Sequence, residues 1–294
     1  MMPKFQQSPF LLLGLVAITS ACVDFGPELE RPEEPSYPSD IHAAWSPDGK
    51  WIDYRHEDYT TYDSSYPNGL YLIDPDGNNR RLLVEGDAFL PSWSPDSQQI
   101  VFTTSSLLYI INFGGSDLEY LTGGRFPRWS PDGQEIVFTR AGTHDTVGVW
   151  IIHLPDRQEH RLGFGAMPDW SPDGQHIVYS GPPGETPTGS QIWTMEISGG
   201  QNIQLTQNSF ITNRSPRWSP DGTAIVWYVL VKTKGEVWIM NSDGSGQRKL
   251  TDGSHPSFSP DSRTVAFSNL HPSGDKIVLW RVDIDGNALR QLTN

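Results

Sequence analysis

The sequence is poor in cysteine and in basic residues. Cys22 is the one cysteine among 294 residues, which excludes a small fold held together by disulfide bonds. Lysine and arginine total 21 against 35 aspartates and glutamates, so the formal net charge is −14. Proteins that bind nucleic acid need clustered basic residues to displace counterions. We therefore expect no nucleic-acid partner, and we interpret the acidic excess as an aid to solubility.

The common signatures of catalysis are also missing. The eight histidines show no HExxH spacing, and no Gly-x-Ser-x-Gly phrase occurs. The segments 74–78 and 283–287 resemble the start of a calcium loop, but their glycine stands fourth rather than sixth. Both fall where a hairpin turn is expected, and we interpret them as turns. The sequence thus predicts no cofactor, no metal site and no enzymatic activity.

What the chain does contain is one short phrase repeated six times. The spacing of the copies, 48, 36, 41, 48 and 40 residues, is typical of repeat architectures. The copies, called repeats 1 to 6 below, are Trp45-Ser46-Pro47-Asp48-Gly49, Trp93-Ser94-Pro95-Asp96-Ser97, Trp129-Ser130-Pro131-Asp132-Gly133, Trp170-Ser171-Pro172-Asp173-Gly174, Trp218-Ser219-Pro220-Asp221-Gly222 and Phe258-Ser259-Pro260-Asp261-Ser262.

Each copy is followed by the pattern of a four-stranded unit. Ser-Pro-Asp-Gly favours a type I turn after a first strand that ends at the aromatic residue. An alternating second strand follows, as in 135–139, and then a third strand that begins with an aromatic residue, as in 150–152. A Gly-containing hairpin turn leads to a fourth strand, as in 248–251. The sequence therefore predicts an all-β fold, a six-bladed β-propeller with four antiparallel strands per blade, over residues 41–294.

All 11 tryptophans occupy positions that recur in the repeats. A recurring aromatic position suits packing of blade against blade, because large rings dominate core energetics. A sugar-stacking platform is the alternative, although ligand-binding aromatics need not recur once per repeat. We expect these rings to form the packing between blades.

The phrase Trp-Ser-Pro-Asp-Gly, with a later strand ending in Leu-Thr, resembles the TolB-like or WD40-like (PD40) β-propeller repeat family over residues 41–294. Repeats 2 and 6 depart from the phrase, because Ser97 and Ser262 replace the glycine, which a type I turn tolerates. We find no counterpart of TolB's N-terminal α/β domain or of the hydrolase domain in prolyl-oligopeptidases. The resemblance also includes lyases that bind a metal through histidines near the ring centre. His42 and His255 would be neighbours in a closed ring, but two histidines do not define a site.

The N-terminal residues predict export and a lipid anchor. An apolar run at 10–18 is too short to span a membrane and suits a signal peptide over 1–21. Ile18-Thr19-Ser20-Ala21-Cys22 resembles a bacterial lipobox, so we expect lipidation of Cys22 and a Pro- and Glu-rich tether over 22–40. Cleavage that leaves a free thiol is the alternative. The predicted location is the bacterial cell envelope, at the outer membrane or the extracytoplasmic face of the membrane.

The longer loops and the entry points of the first strands share the predicted top face of the ring. Loops that vary on a rigid scaffold often carry binding, although neutral insertions and a water-filled tunnel are the alternatives. The function predicted is an interaction module that binds an envelope protein or peptide as a monomer; a carbohydrate-binding or polysaccharide-lyase-like propeller is the alternative. The predicted partner-binding residues are Leu90, Phe126, Arg128, Met167, Asp169, Arg217 and His255 at the strand entries, and Tyr59, Tyr62, Tyr66 and Phe210 in the loops.

Overall fold

The computed structural model describes residues 38–58, 66–141, 147–181, 189–207, 212–231 and 234–293. Within these ranges the chain forms 24 β-strands and no helix, which agrees with the all-β prediction. Accordingly, nothing in the described ranges is a helix long and apolar enough to cross a membrane. The predicted anchor Cys22 and the loop residues Tyr59, Tyr62 and Phe210 lie outside the described residues.

The strands follow the repeats, four to each. Their bounds are β1 Ser39–Trp45, β2 Ile52–Glu57, β3 Gly69–Ile73, β4 Arg81–Glu85, β5 Phe89–Trp93, β6 Gln99–Thr104, β7 Leu107–Asn112, β8 Glu119–Gly123, β9 Arg125–Trp129, β10 Glu135–Ala141, β11 Val147–His153, β12 Glu159–Phe164, β13 Ala166–Trp170, β14 His176–Gly181, β15 Gln191–Glu196, β16 Ile203–Gln204, β17 Thr212–Trp218, β18 Ala224–Val231, β19 Lys234–Asn241, β20 Arg248–Asp252, β21 Ser254–Phe258, β22 Thr264–Leu270, β23 Ile277–Asp283 and β24 Arg290–Gln291.

Repeats 2 to 5 each form one antiparallel four-stranded sheet with the strands in chain order. The strands of repeats 1 and 6 share one eight-stranded sheet instead. Within it each repeat keeps its own four strands, and the two groups are joined by a single parallel pair between Ser39 and Ile277. β1 starts at Ser39, so it includes two residues of the predicted tether. The first strands touch one another in order, and β21 touches β1, which closes a ring around a central channel.

The six Ser-Pro-Asp turns are built alike. In repeat 3 the amide of Gly133 donates to the carbonyl of Ser130 at 3.0 Å, which closes the turn. The Ser130 hydroxyl donates to Oδ1 of Asp132 at 2.6 Å and accepts the amide of Glu135 at 2.9 Å. Every other repeat has the same two serine bonds. The phrase recurs because serine and aspartate together satisfy the polar groups at this end of the strands.

Ser97 and Ser262 adopt the left-handed backbone that glycine takes in the other turns. Both have φ of +60°, against +72° for Gly133. Each serine hydroxyl also accepts an amide from the turn of the preceding repeat: Asp48 donates to Ser97, and Asp221 donates to Ser262, both at 3.1 Å. The hydrogen bond between repeats offsets the strain of positive φ at a residue with a side chain.

The hydrophobic core lies between neighbouring repeats. Trp93 packs with Leu70 and Leu72 of repeat 1 and with Ile100 of its own repeat. Trp129 and Trp170 occupy the same place in the next two interfaces, which confirms the predicted packing role of these rings. A further cluster joins the ends of the chain, because it combines residues of repeat 1 with residues of repeat 6. Its buried members are Ala43, Ile52, Tyr54, Tyr71, Ile73, Ala266, Leu279 and Leu292.

Candidate binding site at the channel mouth

All six first strands bend at the same place, three residues before the aromatic. The bending residue is never glycine, yet its φ lies in the left-handed region each time. The values are +60° at His42, +55° at Leu90, +56° at Phe126, +55° at Met167, +48° at Ser215 and +51° at His255. At each bend the register between the first and second strands shifts, as in a β-bulge.

A left-handed backbone costs a residue that has a side chain about 1–3 kcal/mol, and such strain often marks a functional site. A proline follows the bend in repeats 2 to 6 and removes an amide donor that the disrupted ladder would leave without a partner. A bulge also re-aims the side chain at the bend. The side chains at the bend in repeats 1, 2, 5 and 6 line a cavity at the axis of the ring.

Residues of five of the six first strands line a small cavity at the axis. His42, Leu90 and His255 come from the bend, and Arg128 and Arg217 come from the position just before the aromatic. Together with Ser215 they define what we call the channel mouth. The cavity holds about 280 Å³ of empty space, its opening to solvent included. Most of that space is the opening to solvent, and the enclosed part is about the size of one water molecule.

His42 and His255 are in contact at the mouth. Their ring centroids lie 4.2 Å apart in an edge-on arrangement, and the Tyr228 ring lies 4.8 Å from His255. Burial lowers the pKa of His42 well below its ordinary value, and nearby positive charges lower it further. Burial and the Arg214 guanidinium lower the pKa of His255 to about 4. Both imidazoles are consequently neutral at pH 7, and Nδ1 of His42 has no hydrogen-bond partner among the described residues.

Arg128 and Asp169 form an ion pair on adjacent first strands. The guanidinium Nε lies 3.8 Å from the Asp169 carboxylate, and Nη1 donates to the carbonyls of Pro91 and Pro127. Oδ2 of Asp169 also accepts the amide of Trp218 in the next repeat at 2.9 Å. Burial raises the pKa of Asp169 to about 7 in spite of the Arg128 charge. These two residues stabilise the ring as well as lining or flanking the channel.

A second acidic group, Asp53, is completely buried in β2 opposite Ala44. Among the described residues neither of its carboxylate oxygens has a hydrogen-bond partner, and the same is true of the indole Nε1 of Trp93. Burial raises its pKa well above the ordinary value, and Arg128 opposes that shift. The equivalent residues of the other repeats are Val101, Val137, Val178, Val226 and Ala266.

The predicted site residues divide into three groups. Leu90, Arg128, Arg217 and His255 line the channel mouth together. Three more belong to the same first strands: the half-buried Phe126, Asp169 beside Arg128, and Met167, whose sulfur accepts the Ser215 hydroxyl at 3.4 Å. Tyr66 does not line the mouth.

Tyr66 belongs to a separate aromatic cluster of repeat 1. It is 49% exposed, and its ring lies 4.0 Å from the guanidinium carbon of Arg80. Arg80 also faces Tyr54 and Tyr71 and lies 3.6 Å from the buried carboxylate of Asp40. This guanidinium already fills the space between the rings, so Tyr66 is held by its own chain.

Sequence reasoning missed His42 and Asp53 as members of the site. It also did not predict Arg125 of β9 and Arg214 of β17, whose charges are close enough to His42 and His255, respectively, to lower the pKa of these imidazoles. His42 stands at the bend position of repeat 1, so alignment of the first strands would have found it. Asp53 is the one acid in a column that is otherwise valine or alanine, and alignment of the second strands reveals it. Over the residues that the structure describes, no group of three or more His, Cys, Asp or Glu side chains is placed to hold a metal ion. The segments that resembled calcium loops form turns, as predicted: Oδ1 of Asp74 accepts the amides of Asp76 and Asn78.

Known proteins share this architecture. The structure of TolB from Acinetobacter baumannii superposes with a TM-score of 0.69 at 20% identity, over 87% of this chain and 63% of that one. Oligogalacturonate lyase from Vibrio parahaemolyticus superposes with a TM-score of 0.59 at 13% identity, over 89% of this chain and 80% of that one. Identities this low support the fold and nothing further.

Sequence comparison is more specific. The Tol-Pal system protein TolB of Rhizorhabdus wittichii is 43% identical over 53 residues, which are 17% of this chain and 12% of that protein. The chain matches 36% or less of the length of its curated relatives. A family model described as the TolB beta propeller domain, PD40, matches residues 56–294. The chain therefore belongs to the TolB β-propeller domain (PD40) family.

Proposed function

We propose that this protein is an interaction module of the bacterial envelope that binds a protein or peptide at the channel mouth. The observation that carries the proposal is the left-handed bend repeated in all six first strands. At the bend, apolar, hydroxyl and imidazole side chains line one small cavity, and Arg128 and Arg217 join them from the position before the aromatic. A purely structural bend would need no such diversity. An apolar centre with a few charged groups is also the composition of interface hot spots.

The scaffold of this module, in the proposal, is a ring of six blades. The eight-stranded sheet then counts as two blades that meet at the Ser39–Ile277 pair. Two features support that count: every repeat keeps four consecutive strands, and the cluster between repeats 6 and 1 resembles the clusters elsewhere in the ring. A crystal structure with a continuous, evenly spaced eight-stranded sheet at this point would contradict it.

The envelope location and the lipid anchor rest on the N-terminal sequence. Cys22 follows an apolar run and small residues, and it precedes a tether long enough to hold the ring away from a membrane. Expression of Cys22→Ser, followed by fractionation, tests the anchor. The variant is expected to leave the membrane fraction or to remain uncleaved. Unchanged membrane association would show that lipidation does not hold the protein there.

Binding at the mouth is tested with a double variant, Phe126→Ala with Arg217→Gln. Neither side chain is in an ion pair within the described part of the chain, whereas Arg128 is paired and its loss would weaken the ring. The matched control is Phe164→Ala with Arg263→Gln, because both residues are exposed and neither lines the channel mouth. Affinity-tagged protein retains an envelope protein in this proposal, and the mouth variant retains about 10-fold less, since a few anchors dominate binding.

The outcome is interpreted against the control. Equal retention by wild type, mouth variant and control, with equal melting temperatures, would exclude the channel mouth as the binding site. If the control loses the partner and the mouth variant does not, the site lies on the outer surface of the ring.

A second candidate is a carbohydrate-binding or lyase propeller. It is favoured by the contact between His42 and His255 in the channel and by the similarity in fold to an oligogalacturonate lyase. Purified protein incubated with oligogalacturonate and a divalent metal would then release unsaturated sugars. Absence of that product, together with retention of a protein partner, would reject this candidate.

A further inference from the structure

We propose that the channel mouth recognises an acidic segment of the peptide partner, with a carboxylate bound at Arg217. This inference rests on the function proposed above and specifies the chemistry of the ligand. It follows from the charge of the mouth and from the unfulfilled hydrogen-bonding capacity there.

The mouth has the opposite charge to the rest of the molecule. The whole chain has a net charge of −14. Yet three guanidinium groups, those of Arg125, Arg214 and Arg217, belong to the first strands around the axis, and none of them makes an ion pair within the described residues. Arg55 is also near the mouth, but Glu57 and Asp87 already neutralise it at 2.7 and 3.3 Å.

The acids of the mouth compensate only part of this charge. Asp169 already faces Arg128, and its pKa of about 7 leaves it partly protonated at neutral pH. Burial also raises the pKa of Asp53 well above its ordinary value, which favours its neutral form. Because both histidines are neutral as well, the mouth holds an excess of positive charge from the arginines.

Several donors at the mouth have capacity to spare. Arg217 donates through Nη1 to the carbonyl of Pro216 at 2.7 Å, an acceptor next to it in the chain, which leaves most of its five N–H groups available. Nε of Arg125 and Nδ1 of His42 are buried and have no partner among the described residues. Planar guanidinium groups in such a position match a carboxylate in two parallel hydrogen bonds.

The surroundings favour a peptide as the carrier of the carboxylate. The Phe89 ring lies 5.1 Å from the Arg55 guanidinium and 5.3 Å from that of Arg125, so it holds the arginine side chains in place. Leu90 lines the cavity and Phe126 lies beside it on the next first strand, which provides apolar contacts for neighbouring side chains. The cavity opens to solvent and Arg217 is only half-buried there, so an aspartate or glutamate side chain, or a C-terminal carboxylate, can approach this guanidinium from outside.

The test begins with selection of random dodecapeptides displayed on phage against the immobilised full-length protein. Peptides that are retained are then synthesised with a fluorophore, and their binding is measured by fluorescence anisotropy. Three forms separate the sources of the carboxylate: the free peptide, the peptide with an amidated C-terminus, and the peptide with Asp and Glu replaced by Asn and Gln. Each is measured against wild type, Arg217→Gln, Arg217→Lys and the control Arg263→Gln, whose melting temperatures are compared first.

The proposal expects enrichment of acidic peptides. Their affinity falls about 10-fold or more in Arg217→Gln, because a charge-assisted bidentate contact is lost, and it is partly restored in Arg217→Lys. Arg263→Gln removes the same charge from the turn that follows β21. It changes the affinity for these peptides less than about 2-fold, because salt screens distant charges. Loss of binding on amidation identifies a C-terminal carboxylate, and loss on Asp and Glu replacement identifies a side chain.

Other outcomes would overturn the inference, and they distinguish failure of the acidic ligand from failure of the proposed binding function. If the retained peptides are neutral or basic and still depend on Phe126, the acidic ligand is wrong while the binding function stands. Acidic peptides that bind Arg217→Gln as well as wild type would also refute the site. A third outcome is that wild type retains no more peptide than the Phe126→Ala, Arg217→Gln double variant does. If an anionic dye binds at the mouth and oligogalacturonate displaces it, the mouth binds a sugar, and both the peptide ligand and the proposed function fail.

Discussion

The two ends of the six first strands follow opposite rules. At the turn end the same serine and aspartate recur, and their polar groups satisfy one another in every repeat. At the channel end the backbone bend recurs instead, while the side chains on it differ in every repeat except for the histidines of repeats 1 and 6. One end repeats its chemistry, and the other repeats only its geometry.

The difference shows at which end the side chains can vary from repeat to repeat. The turns join the first strands to the second strands and have one solution to their hydrogen bonds, so the same residues suit all six. The channel end contains buried ionisable groups, and each of its six bends holds a residue with a side chain in the left-handed region of the backbone. Such features are expected where a ligand completes the interactions.

The largest effect is expected from Arg128→Ala at the channel end. Removal of the guanidinium leaves the half-buried carboxylate of Asp169 without its counter-charge, and it removes the bonds to the carbonyls of Pro91 and Pro127. We expect a loss of about 3 kcal/mol in the free energy of unfolding, measured by urea denaturation. Arg217→Gln should cost less than about 1 kcal/mol, because this arginine has no ion pair in the described chain. Equal losses of stability in the two variants would contradict a structural role for Arg128 and a binding role for Arg217.

Asp53→Val is expected to stabilise the protein by about 1–3 kcal/mol, since it removes a buried carboxylate that has no hydrogen bond. Valine occupies this position in four other repeats. The folded-state pKa of Asp53 is raised, so the folded form holds its proton more tightly than the unfolded form. The wild type therefore loses stability as pH rises above the unfolded value near 3.8, and the advantage of the variant grows from pH 4 upward. Thermal melts across this range measure it; an advantage that shrinks with rising pH would contradict the account.

Ser130→Ala tests the turn end of repeat 3. The substitution removes the hydroxyl that bridges Asp132 and the amide of Glu135, so we expect a loss of about 1–2 kcal/mol. The same bond lowers the pKa of Asp132. Its contribution to stability is therefore present above the unfolded value near 3.8 and disappears as pH falls below it. The difference between Ser130→Ala and wild type should shrink below pH 4 in chemical denaturation but not vanish, because the bond from the Glu135 amide does not depend on pH. A difference that stays constant from pH 7 to pH 2.5 would argue against the serine–aspartate bond.

The smallest effect is expected from Ser97→Gly. Glycine relieves the strain of a φ of +60°, but the variant loses the bond from the Asp48 amide. These terms are each about 1 kcal/mol and opposite in sign, so the free energy of unfolding should change by less than about 0.5 kcal/mol. Ser97→Ala keeps the strain and loses the bond, and it should cost about 1 kcal/mol more than Ser97→Gly. Identical stabilities of Ser97→Gly and Ser97→Ala would contradict the strain assigned to the positive φ, because both variants lose the bond from the Asp48 amide.

Much of the fold could be predicted from sequence because its local signals are strong and repeated. The turn phrase determined the position of every first and second strand, and the recurring aromatics indicated the packing between repeats. Cyclic order of the strands was enough to place His42 next to His255. The parallel pair of Ser39 with Ile277 was not predicted, since it depends on a single contact between distant parts of the chain.

The site was harder to predict than the fold. The prolines indicated where the strands enter the ring. A proline disfavours the right-handed helical conformation of the residue before it, but it does not indicate that this residue has a positive φ. The partnership of Arg128 with Asp169 depends on how two strands are staggered, so both residues were predicted to bind a partner when they also hold the ring. Asp53 occupies a position that is valine or alanine in the other repeats, so the repeat pattern predicts an apolar residue there. Only the three-dimensional packing shows that its carboxylate is buried without a hydrogen bond among the described residues.

The most direct test of binding at the channel end is photocross-linking in cells. A photoreactive benzoylphenylalanine is placed at Phe126, at the channel end of β9, or at Gln134, in the exposed turn that follows the other end of the same strand. The account predicts one discrete cross-linked product from position 126, lost when Arg217→Gln is added, and none from position 134. A product that forms from position 134 and not from position 126 would contradict it.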